Sequence, residues 1–413
     1  MKPIVSFLIG SGFSIPENLP STNQLNQRLS KINEEEILIH TDQHAMFLNG
    51  QIDPNRWSRM DERLFVQEFL EFYNSEILKS GEKFHYETFY DFYSGYLDNN
   101  ENKEVLEAFV KRFNDKHVSD PVMSRDSYNR ISDFNRTYNQ LIASQLQKAK
   151  YFDDASTLNY PPYDHFIRFL LELLKSYDLK IHTLNHDLFF DWLGHHHADL
   201  WQYFSDGYQL EGSPFYGLLS HDFNQNTDRP IVHKTYYVKL ERFVDKFNKP
   251  ICFYKLHGSV FNTIIYTPQK DRIRLKDNYG INRFYIEQND PKTGEPKMEI
   301  LWDEVAPDFL SGTTNKTRYY SRDPYYKILF NYFEDNLSSS EMLIVIGYGF
   351  KDPGINEYIE KHFIAKGKVM YVIDPSPPND LTLKYHMPYI QKGITNISFE
   401  DFIKLIPTSS PQK

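Results

Sequence analysis

Five short runs of apolar residues stand out along the chain, and each ends in a cluster of glycine or polar residues. In chain order the runs and their clusters are Ile4–Ile9 before Gly10-Ser11-Gly12-Phe13-Ser14, Lys180–Leu184 before Asn185-His186-Asp187, Pro250–Leu256 before His257-Gly258-Ser259, Met342–Ile346 before Gly347-Tyr348-Gly349, and Val369–Ile373 before Asp374. A short continuous apolar run is typical of a buried strand in a parallel sheet. Because open α/β sheets bind ligands beside the carboxyl ends of their strands, we expect the five clusters to share one pocket.

The first cluster is the most informative of the five. Glycine at positions 10 and 12 allows a sharp turn and lets a ligand approach the main chain without meeting a Cβ atom. The N–H groups at the start of the following helix can then donate to a phosphate. A dinucleotide-binding G-x-G-x-x-G motif needs a third glycine, however, and Ile15 occupies that position. Taken alone, this segment fits a tight strand-to-helix turn without a ligand equally well.

Long segments of different character separate the strands. Residues 23–163 are mainly amphipathic, with apolar side chains at helical spacing, and predict a large helical insertion after the first strand. Residues 206–248 and 263–322 are rich in aromatic, polar and turn residues and predict loops or short hairpins over the pocket. The fold class is therefore α/β, a Rossmann-like parallel sheet with helices on both faces and a large, mainly helical insertion. We assign residues 1–375 to this domain and 376–413 to a C-terminal extension with a disordered end.

Four of the clusters, in this order, resemble the motifs of the SIR2-like NAD-consuming proteins of bacterial anti-phage systems, which are distant relatives of the sirtuins. The family's G-A-G-x-S loop has Ser11 in place of alanine, and its T-x-N-x-D and K-x-H-G motifs are intact at Thr183–Asp187 and Lys255–Gly258. The fourth matching segment is Gly347–Asp352. The resemblance implies a Rossmann-like NAD-binding catalytic domain, NAD+ as substrate, and hydrolysis of NAD+ during abortive infection.

One departure from the sirtuins narrows the expected activity. Sirtuin deacylases carry a zinc module built on two Cys-x-x-Cys pairs, whereas this chain contains a single cysteine, Cys252. A four-cysteine zinc site is therefore excluded, and we expect no zinc and no cofactor beyond NAD+ as substrate. Cys252 lies inside an apolar run, which favours a buried, inert thiol over a nucleophile.

The resemblance also implies roles for individual residues. Nicotinamide is already a cationic leaving group in NAD+, so the site must hold an oxocarbenium-like ribose and position an acceptor, usually water. Asn185 would position the water or the ribose, and His257 would act as the base, since an imidazole of ordinary pKa, about 6.5, can accept a proton near neutrality. The implied nucleotide contacts are Gly10, Ser11, Gly12 and Ser14 at the phosphates and Gly347, Gly349, Asp352 and Asn356 along the adenosine. Asp187 would order the loop that carries Asn185, Asp374 would reach the adenine ribose, and Thr183 completes the binding set.

Simpler interpretations of the same residues stay open. Asn185 is also a good helix cap, His257 could be a structural hydrogen-bonding group, and Gly347–Gly349 could be a turn without a ligand. The run His195–His197, with Asp199 beside it, is a candidate metal site. Adjacent histidines on one helix point in different directions, so we interpret this run as a surface or interface cluster and expect no metal.

Composition and charge favour an intracellular enzyme. A chain of 413 residues, 40% of them hydrophobic, can bury a substantial core and carry one large insertion. One cysteine suits a reducing cytoplasm, and the N-terminus has no cleavable apolar signal segment, so we expect a cytoplasmic protein. A formal net charge of −10 argues against broad binding to nucleic acid, and no apolar stretch is long enough to span a bilayer.

The motifs include no part that could sense an infection, and this leads to an expectation about partners. All the recognised motifs belong to one domain, which leaves no obvious second domain that could sense an infection. We therefore expect a separate sensor or activator protein, and the resemblance implies a homo-oligomer or hetero-complex. The alternative function is a non-catalytic module that senses NAD or an ADP-ribose-type nucleotide and regulates a partner.

Overall fold

A computed structural model describes residues 2–39, 45–48, 60–118, 125–146, 161–223, 232–267, 269, 271–277, 281, 283–301, 306–310, 312, 320 and 322–406. Its strands are β1 (Ile4–Ile9), β2 (Ile37–Ile39), β3 (Ala45–Phe47), β4 (Asp178–Thr183), β5 (Phe204–Ser205), β6 (Gly207–Gln209), β7 (Phe215–Phe223), β8 (Val232–Lys239), β9 (Glu241–Lys246), β10 (Ile251–Lys255), β11 (Gly258–Tyr266), β12 (Arg272–Lys276), β13 (Phe284–Asn289), β14 (Pro296–Leu301), β15 (Ala306–Phe309), β16 (Met342–Ile346), β17 (Val369–Ile373) and β18 (Tyr389–Ile390). Its α-helices are α1 (Thr22–Leu29), α2 (Met60–Phe72), α3 (Tyr86–Asn99), α4 (Lys103–His117), α5 (Ser127–Leu146), α6 (Asp164–Leu173), α7 (Phe189–His196), α8 (Ala198–Trp201), α9 (Pro324–Ser339), α10 (Pro353–His362), α11 (Asp380–Lys384) and α12 (Phe399–Ile403).

Seven parallel strands form the main sheet of the described residues, in the order β18-β17-β16-β1-β4-β10-β5. From β1 the chain moves to one side through β4 and β10, and it later returns to the other side through β16, β17 and β18. The strand order therefore reverses between β1 and β16. Such a reversal leaves a crevice at the carboxyl ends of the strands, which is where open α/β sheets bind ligands.

The first strand buries both of its faces, which explains why its sequence is a continuous apolar run. Val5, Phe7 and Ile9 belong to a core on one face, whereas Leu8 belongs to a second core on the other, and all four are fully buried. Side chains alternate across a strand, so a strand covered on both sides needs apolar residues on both faces. The polar exception, Ser6, is buried with its hydroxyl 2.6 Å from that of Ser340. Helix α6 packs on the first face and helices α9 and α10 on the second. The predicted fold class is confirmed.

Helices α1 to α5 and the small β2–β3 hairpin follow the first strand, and the helices pack around an aromatic cluster. Phe69 of α2 lies at its centre, with ring centroids 4.7 Å from Phe134 of α5 and 5.1 Å from Phe109 of α4. The Phe69–Phe134 pair is edge-to-face and the Phe69–Phe109 pair is tilted, and aromatic pairs in such arrangements add to the hydrophobic stabilisation of burial. The mainly helical insertion predicted after β1 is confirmed, although the hairpin inside it was not predicted.

Two smaller antiparallel sheets contain most of the remaining strands. One has the order β15-β11-β12-β9-β6 and the other β14-β13-β7-β8. The described parts of 206–248 and 263–322 therefore hold regular strands, where the sequence predicts loops or short hairpins. Several of these strands, among them β8, β9 and β14, are half exposed or mostly exposed, so their alternation is weak in the sequence.

The C-terminal extension packs against the main sheet as far as residue 406. Strand β18 pairs with β17, and Phe402 of α12 stacks on Phe169 of α6 with ring centroids 4.8 Å apart. The predicted disordered end lies outside the described residues. No helix among those that the structure describes combines the length and the apolar character needed to cross a membrane.

Candidate active site

A cavity of about 430 Å³ lies beside the crevice between β1 and β16. Its volume is within the usual range for small-molecule sites, about 300–1,000 Å³. The predicted site residues that line it are Gly10, Ser11, Ser14, Asn185, Asp187, His257, Gly347, Gly349 and Asp352. The helical insertion supplies another wall, including Leu25 of α1, Tyr86 and Glu87 of α3 and Leu146 of α5. Clusters that are distant in sequence thus meet around one space.

The glycines after β1 are needed mainly for packing of one loop against another. A Cβ atom on Gly10 would lie 2.5 Å from the carbonyl oxygen of Gly347, and one on Gly12 would lie 2.7 Å from the Cα of Gly347. Gly347 itself has a φ of +62°, which disfavours any residue with a side chain. The sequence suggests that Gly12 makes room for a ligand. Gly12 does not line the cavity, however, so the absence of a Cβ atom there allows the loop after β16 to pack closely.

Most main-chain N–H groups of this loop already donate hydrogen bonds within the protein. Gly10 and Gly12 donate to the carbonyls of Ile346 and Gly347, both at 2.9 Å, and two further N–H groups of the segment close turns within it. The N–H of Ser11 has no backbone acceptor among the described residues, and this residue is exposed in the cavity. The segment forms two 3₁₀ turns, and α1 begins only at Thr22. The sequence suggests several main-chain N–H groups for a phosphate at the start of a helix, but in this loop only the N–H of Ser11 remains for that role among the described residues.

Asn185 joins the loops that follow β4 and β1. Its amide nitrogen donates to the carbonyl of Gly10 at 3.0 Å and to the hydroxyl of Ser14 at 3.1 Å. These bonds fix the orientation of the amide, and its oxygen has no partner among the described residues. Helix α7 begins at Phe189 with Leu188 as its N-cap, so Asn185 does not cap it. The amide oxygen of Asn185 is thus oriented and available to a ligand or water.

Thr183 and Asp187 hold this loop in place. The Thr183 hydroxyl donates to the carbonyl of Ile9 at 3.2 Å and accepts the N–H of Asn185 at 3.1 Å, and Thr183 does not line the cavity. The buried carboxylate of Asp187 accepts from the Ser14 hydroxyl at 3.2 Å and from the N–H of Phe189 at 2.9 Å. Burial raises the pKa of Asp187, although the charge of Lys255 and these hydrogen bonds oppose the rise.

Lys255, the first residue of the K-x-H-G motif, has a structural role that the sequence did not assign. Its ammonium group is buried and donates to the main-chain carbonyl of Asp187 and to the carboxylate of Asp191, 3.0 Å away. Lys276 of β12 lies 3.3 Å from the other oxygen of Asp191. Burial disfavours the charged form of Asp191, but the two lysines outweigh it and lower the pKa of its carboxyl. This buried cluster links an antiparallel sheet to the loop that carries Asn185.

His257 lies in the cavity wall with two polar groups at the same ring nitrogen. Its Nε2 is 3.0 Å from the hydroxyl of Tyr320 and 3.7 Å from a carboxylate oxygen of Asp352. Burial raises the pKa of Tyr320 well above its ordinary value, so this hydroxyl stays protonated. The ring of His186 also lines the cavity, with its centroid 6.1 Å from that of His257. The sequence groups Asp352 with the adenosine contacts, whereas the structure places its carboxylate beside His257.

Two other predicted contacts are not part of the cavity lining. Asn356 donates to the carbonyl of Phe350 at 2.8 Å and accepts from the Tyr348 hydroxyl at 3.0 Å, while the Asp374 carboxylate accepts the N–H of Ser376 at 2.8 Å. Neither residue lines the cavity. Tyr348 and Lys351 do line the cavity, although the sequence analysis assigns only the glycines, Asp352 and Asn356 of this segment to the site.

The cysteine and the histidine run lie away from the cavity lining. Cys252 is fully buried, as predicted, and its thiol donates to the carbonyl of Lys249 at 3.2 Å. His196 contacts the carbonyl of Trp192 at 2.9 Å, with its ring 4.2 Å from the indole, and burial lowers the pKa of His197. Within the described ranges, no three His, Cys, Asp or Glu side chains are grouped so that they could hold a metal ion.

No protein-family model matches the chain, and no curated protein matches it. Solved structures similar to it are Sir2 proteins. A Sir2 homologue in complex with NAD is 11% identical, with 98% of this chain and 89% of that chain covered and a TM-score of 0.36. A sirtuin studied for its substrate affinity is 9% identical, with 98% and 94% covered and a TM-score of 0.36. A Sir2 protein bound to a propionylated peptide is 8% identical, with 95% and 90% covered and a TM-score of 0.34. Likeness at this level carries no argument about the reaction, so the site must be interpreted from its own geometry.

Proposed function

We propose that this chain is an NAD+ glycohydrolase, which cleaves the bond between nicotinamide and ribose and releases nicotinamide and ADP-ribose. The observation that carries the proposal is the convergence of Asn185 and His257 on one cavity at the reversal point of a parallel sheet. An amide that binds a hydroxyl or water and an imidazole that accepts a proton are the two groups this hydrolysis needs. The four resembling motifs, which name the same residues, support it independently of the geometry.

The position of the substrate follows from the groups that the cavity offers. The diphosphate would lie against the β1 loop, where the N–H and hydroxyl of Ser11 and the ammonium group of Lys351 can bind it. The ribose attached to nicotinamide would lie between Asn185 and His257. Most of the loop's other N–H groups already donate to carbonyls, so phosphate binding depends on side chains more than the glycine pattern suggests.

The reaction proceeds by departure of a good leaving group. The C1′–N bond breaks, its electron pair stays on nicotinamide, and the ribose becomes oxocarbenium-like. Asn185 positions the ribose or the attacking water through its amide oxygen, and the water oxygen forms the new bond to C1′. His257 accepts the proton that this water loses. Neither step needs a metal or a second cofactor, in keeping with the expectation of none beyond NAD+ as substrate.

The biological role belongs to the same proposal and is supported by the motif resemblance. The enzyme would be the NAD-depleting effector of an anti-phage abortive-infection system and would stay inactive in the cytoplasm until a separate partner protein or ligand activates it. A homo-oligomer or hetero-complex is the expected active form. Neither membrane association nor direct nucleic-acid binding is part of the proposal.

Nicotinamide release from NAD+ by the purified 413-residue chain tests the activity, with and without the protein encoded by its neighbouring gene. His257→Ala should lower the rate by at least about a hundredfold, the usual contribution of a positioned base. Asn185→Ala should lower it by about a hundredfold through misplacement of the ribose or the water. The matched controls Asn331→Ala on α9 and His165→Ala on α6, both at exposed positions outside the cavity lining, should keep it. Unchanged release in both site variants would refute the assignment. Tight NAD+ binding without turnover under either condition would favour the non-catalytic sensing module instead.

A further inference from the structure

The carboxylate of Asp352 serves two neighbours at once. One oxygen caps helix α10 by accepting the N–H groups of Gly354 at 3.0 Å and Ile355 at 3.3 Å. The other oxygen faces Nε2 of His257 at 3.7 Å. Helix capping needs only one acceptor atom, and asparagine or serine would supply it equally well. The second oxygen therefore places a negative charge beside the imidazole that capping does not require.

We propose that Asp352 is a positioning residue for the reaction, which holds the imidazole of His257 and stabilises the positive charge that this ring acquires when it accepts a proton. The inference rests on the proposed function, in which His257 is the base. Asp352 lines the same cavity, but in this role it acts through His257 and not on the reacting atoms. An ionised carboxylate within about 4–6 Å of a histidine favours the protonated ring over the neutral one.

The surroundings keep this carboxylate in place. The hydroxyl of Tyr348 accepts the N–H of Asp352 at 3.3 Å and lies 3.2 Å from the main-chain carbonyl of the same residue, so the backbone of Asp352 packs closely against this side chain. The carboxylate side chain is 10% exposed, and the His257 side chain is 5% exposed. A charge held by the fold in a partly dry site needs no reorganisation when the imidazole becomes cationic.

Other titratable groups near the pair act differently on it. Tyr320 contributes a neutral hydroxyl, and its pKa is raised by burial first and then by the charge of Asp352. The ring of His186 lies with its centroid 6.1 Å from that of His257, and Asp187, Glu87 and Lys351 line the same cavity. Asp352 raises the pKa of Tyr320 more than Glu87 does. Glu87 is therefore the matched carboxylate for a control.

The pH dependence of NAD+ hydrolysis tests the pair in the full chain. Activity should fall on the acid side as His257 becomes protonated and can no longer act as a base. Asp352→Asn keeps the helix cap but removes the charge, so the acid limb should move down by about one pH unit. At pH values where His257 is unprotonated, kcat should fall by about tenfold. This factor corresponds to one pKa unit if the proton has moved fully to the imidazole in the transition state. KM should change little. Asp352→Ser should behave like Asp352→Asn, while Glu87→Gln and Tyr320→Phe should shift the limb by clearly less.

A measurement that does not depend on turnover separates this inference from the proposed function. The imidazole of His257 can be titrated by NMR on histidine-labelled protein, with His257→Ala identifying its signal. We expect a pKa lower by about one unit in Asp352→Asn than in the wild type. An unchanged pKa, or an equal shift in Glu87→Gln, would overturn the role of Asp352 even in an active enzyme. A shifted pKa in a protein that never hydrolyses NAD+ would refute the proposed function and leave the pairing intact.

Discussion

The close approach of the loops after β1 and β16 leads to a prediction about two glycines of the same cavity region. In Gly12→Ala the new Cβ would lie 2.7 Å from the Cα and 3.0 Å from the carbonyl oxygen of Gly347, and both atoms belong to backbone that cannot turn aside. In Gly349→Ala the nearest atom would be Cγ of Lys351 at 3.9 Å, an ordinary contact. Overpacking of this kind costs about 1–3 kcal/mol. An alanine that fits its backbone stabilises by about 0.4–1 kcal/mol through the unfolded chain.

Thermal unfolding without nucleotide measures the difference. A chain of 413 residues has a large unfolding entropy, so about 1 kcal/mol corresponds to roughly 1 °C in Tm. Gly12→Ala should therefore melt about 1–4 °C below the wild type, and Gly349→Ala should melt at or slightly above it. If both variants keep the wild-type Tm and Gly12→Ala loses only nucleotide binding, then Gly12 is there for ligand approach and our interpretation of the loop contact is wrong.

Three further predictions concern buried polar groups. Lys255→Met should lower the free energy of unfolding by about 3–5 kcal/mol in denaturant titrations because it breaks a buried ion pair. It should also weaken nucleotide binding, because Lys255 holds the loop that carries Asn185. The control Lys276→Met should not weaken nucleotide binding. Burial lowers the pKa of His182 to about 3. The unfolded chain binds that proton first, at a pKa near 6.5, so the free energy of unfolding should fall by about 2 kcal/mol from pH 8 to pH 5, and His182→Gln should lose this part of the pH dependence. Cys252 is fully buried, so an aromatic disulfide reagent should label the native protein only at the rate of unfolding, and one thiol per chain should react in denaturant.

Much of the fold could be predicted because burial of the central sheet leaves a direct trace in the sequence. Strands covered on both faces, such as β1 and β16, need continuous apolar runs, and those runs were located to within a residue. The antiparallel strands leave no such trace. Val232–Lys239, for example, is exposed along most of the length for which burial is described, so neither face imposes a strict alternation. Where such strands begin and end depends on the positions of the turns and on which surfaces are half buried, and both depend on contacts distant in sequence.

The candidate site could be predicted as a group of residues but not as a set of contacts. Parallel strands bring their carboxyl ends to one edge, and this alone was enough to place Asn185 and His257 in one cavity. What a side chain touches depends on the register and direction of elements that the motifs do not describe. Asp352 illustrates this, because its position after the β16 loop suggested the adenosine side, while the start of helix α10 turns its carboxylate towards His257. Lys255 was overlooked because a lysine inside an apolar strand has no assigned partner until the fold supplies Asp191.

Some side chains of this cavity both hold a loop in place and are assigned to the reaction, so a variant at such a position can lose activity for either reason. The amide nitrogen of Asn185 bonds the β1 loop through Gly10 and Ser14, while its oxygen is the group assigned to the reaction. Loss of turnover in Asn185→Ala would therefore follow either from a missing catalytic contact or from a displaced loop. Ser14→Ala provides the distinction, because it removes one of those loop bonds without touching the amide oxygen. If Ser14→Ala and Asn185→Ala lower stability to a similar extent but only the latter abolishes turnover, then the amide oxygen acts on the substrate and the loop contact alone does not explain the loss.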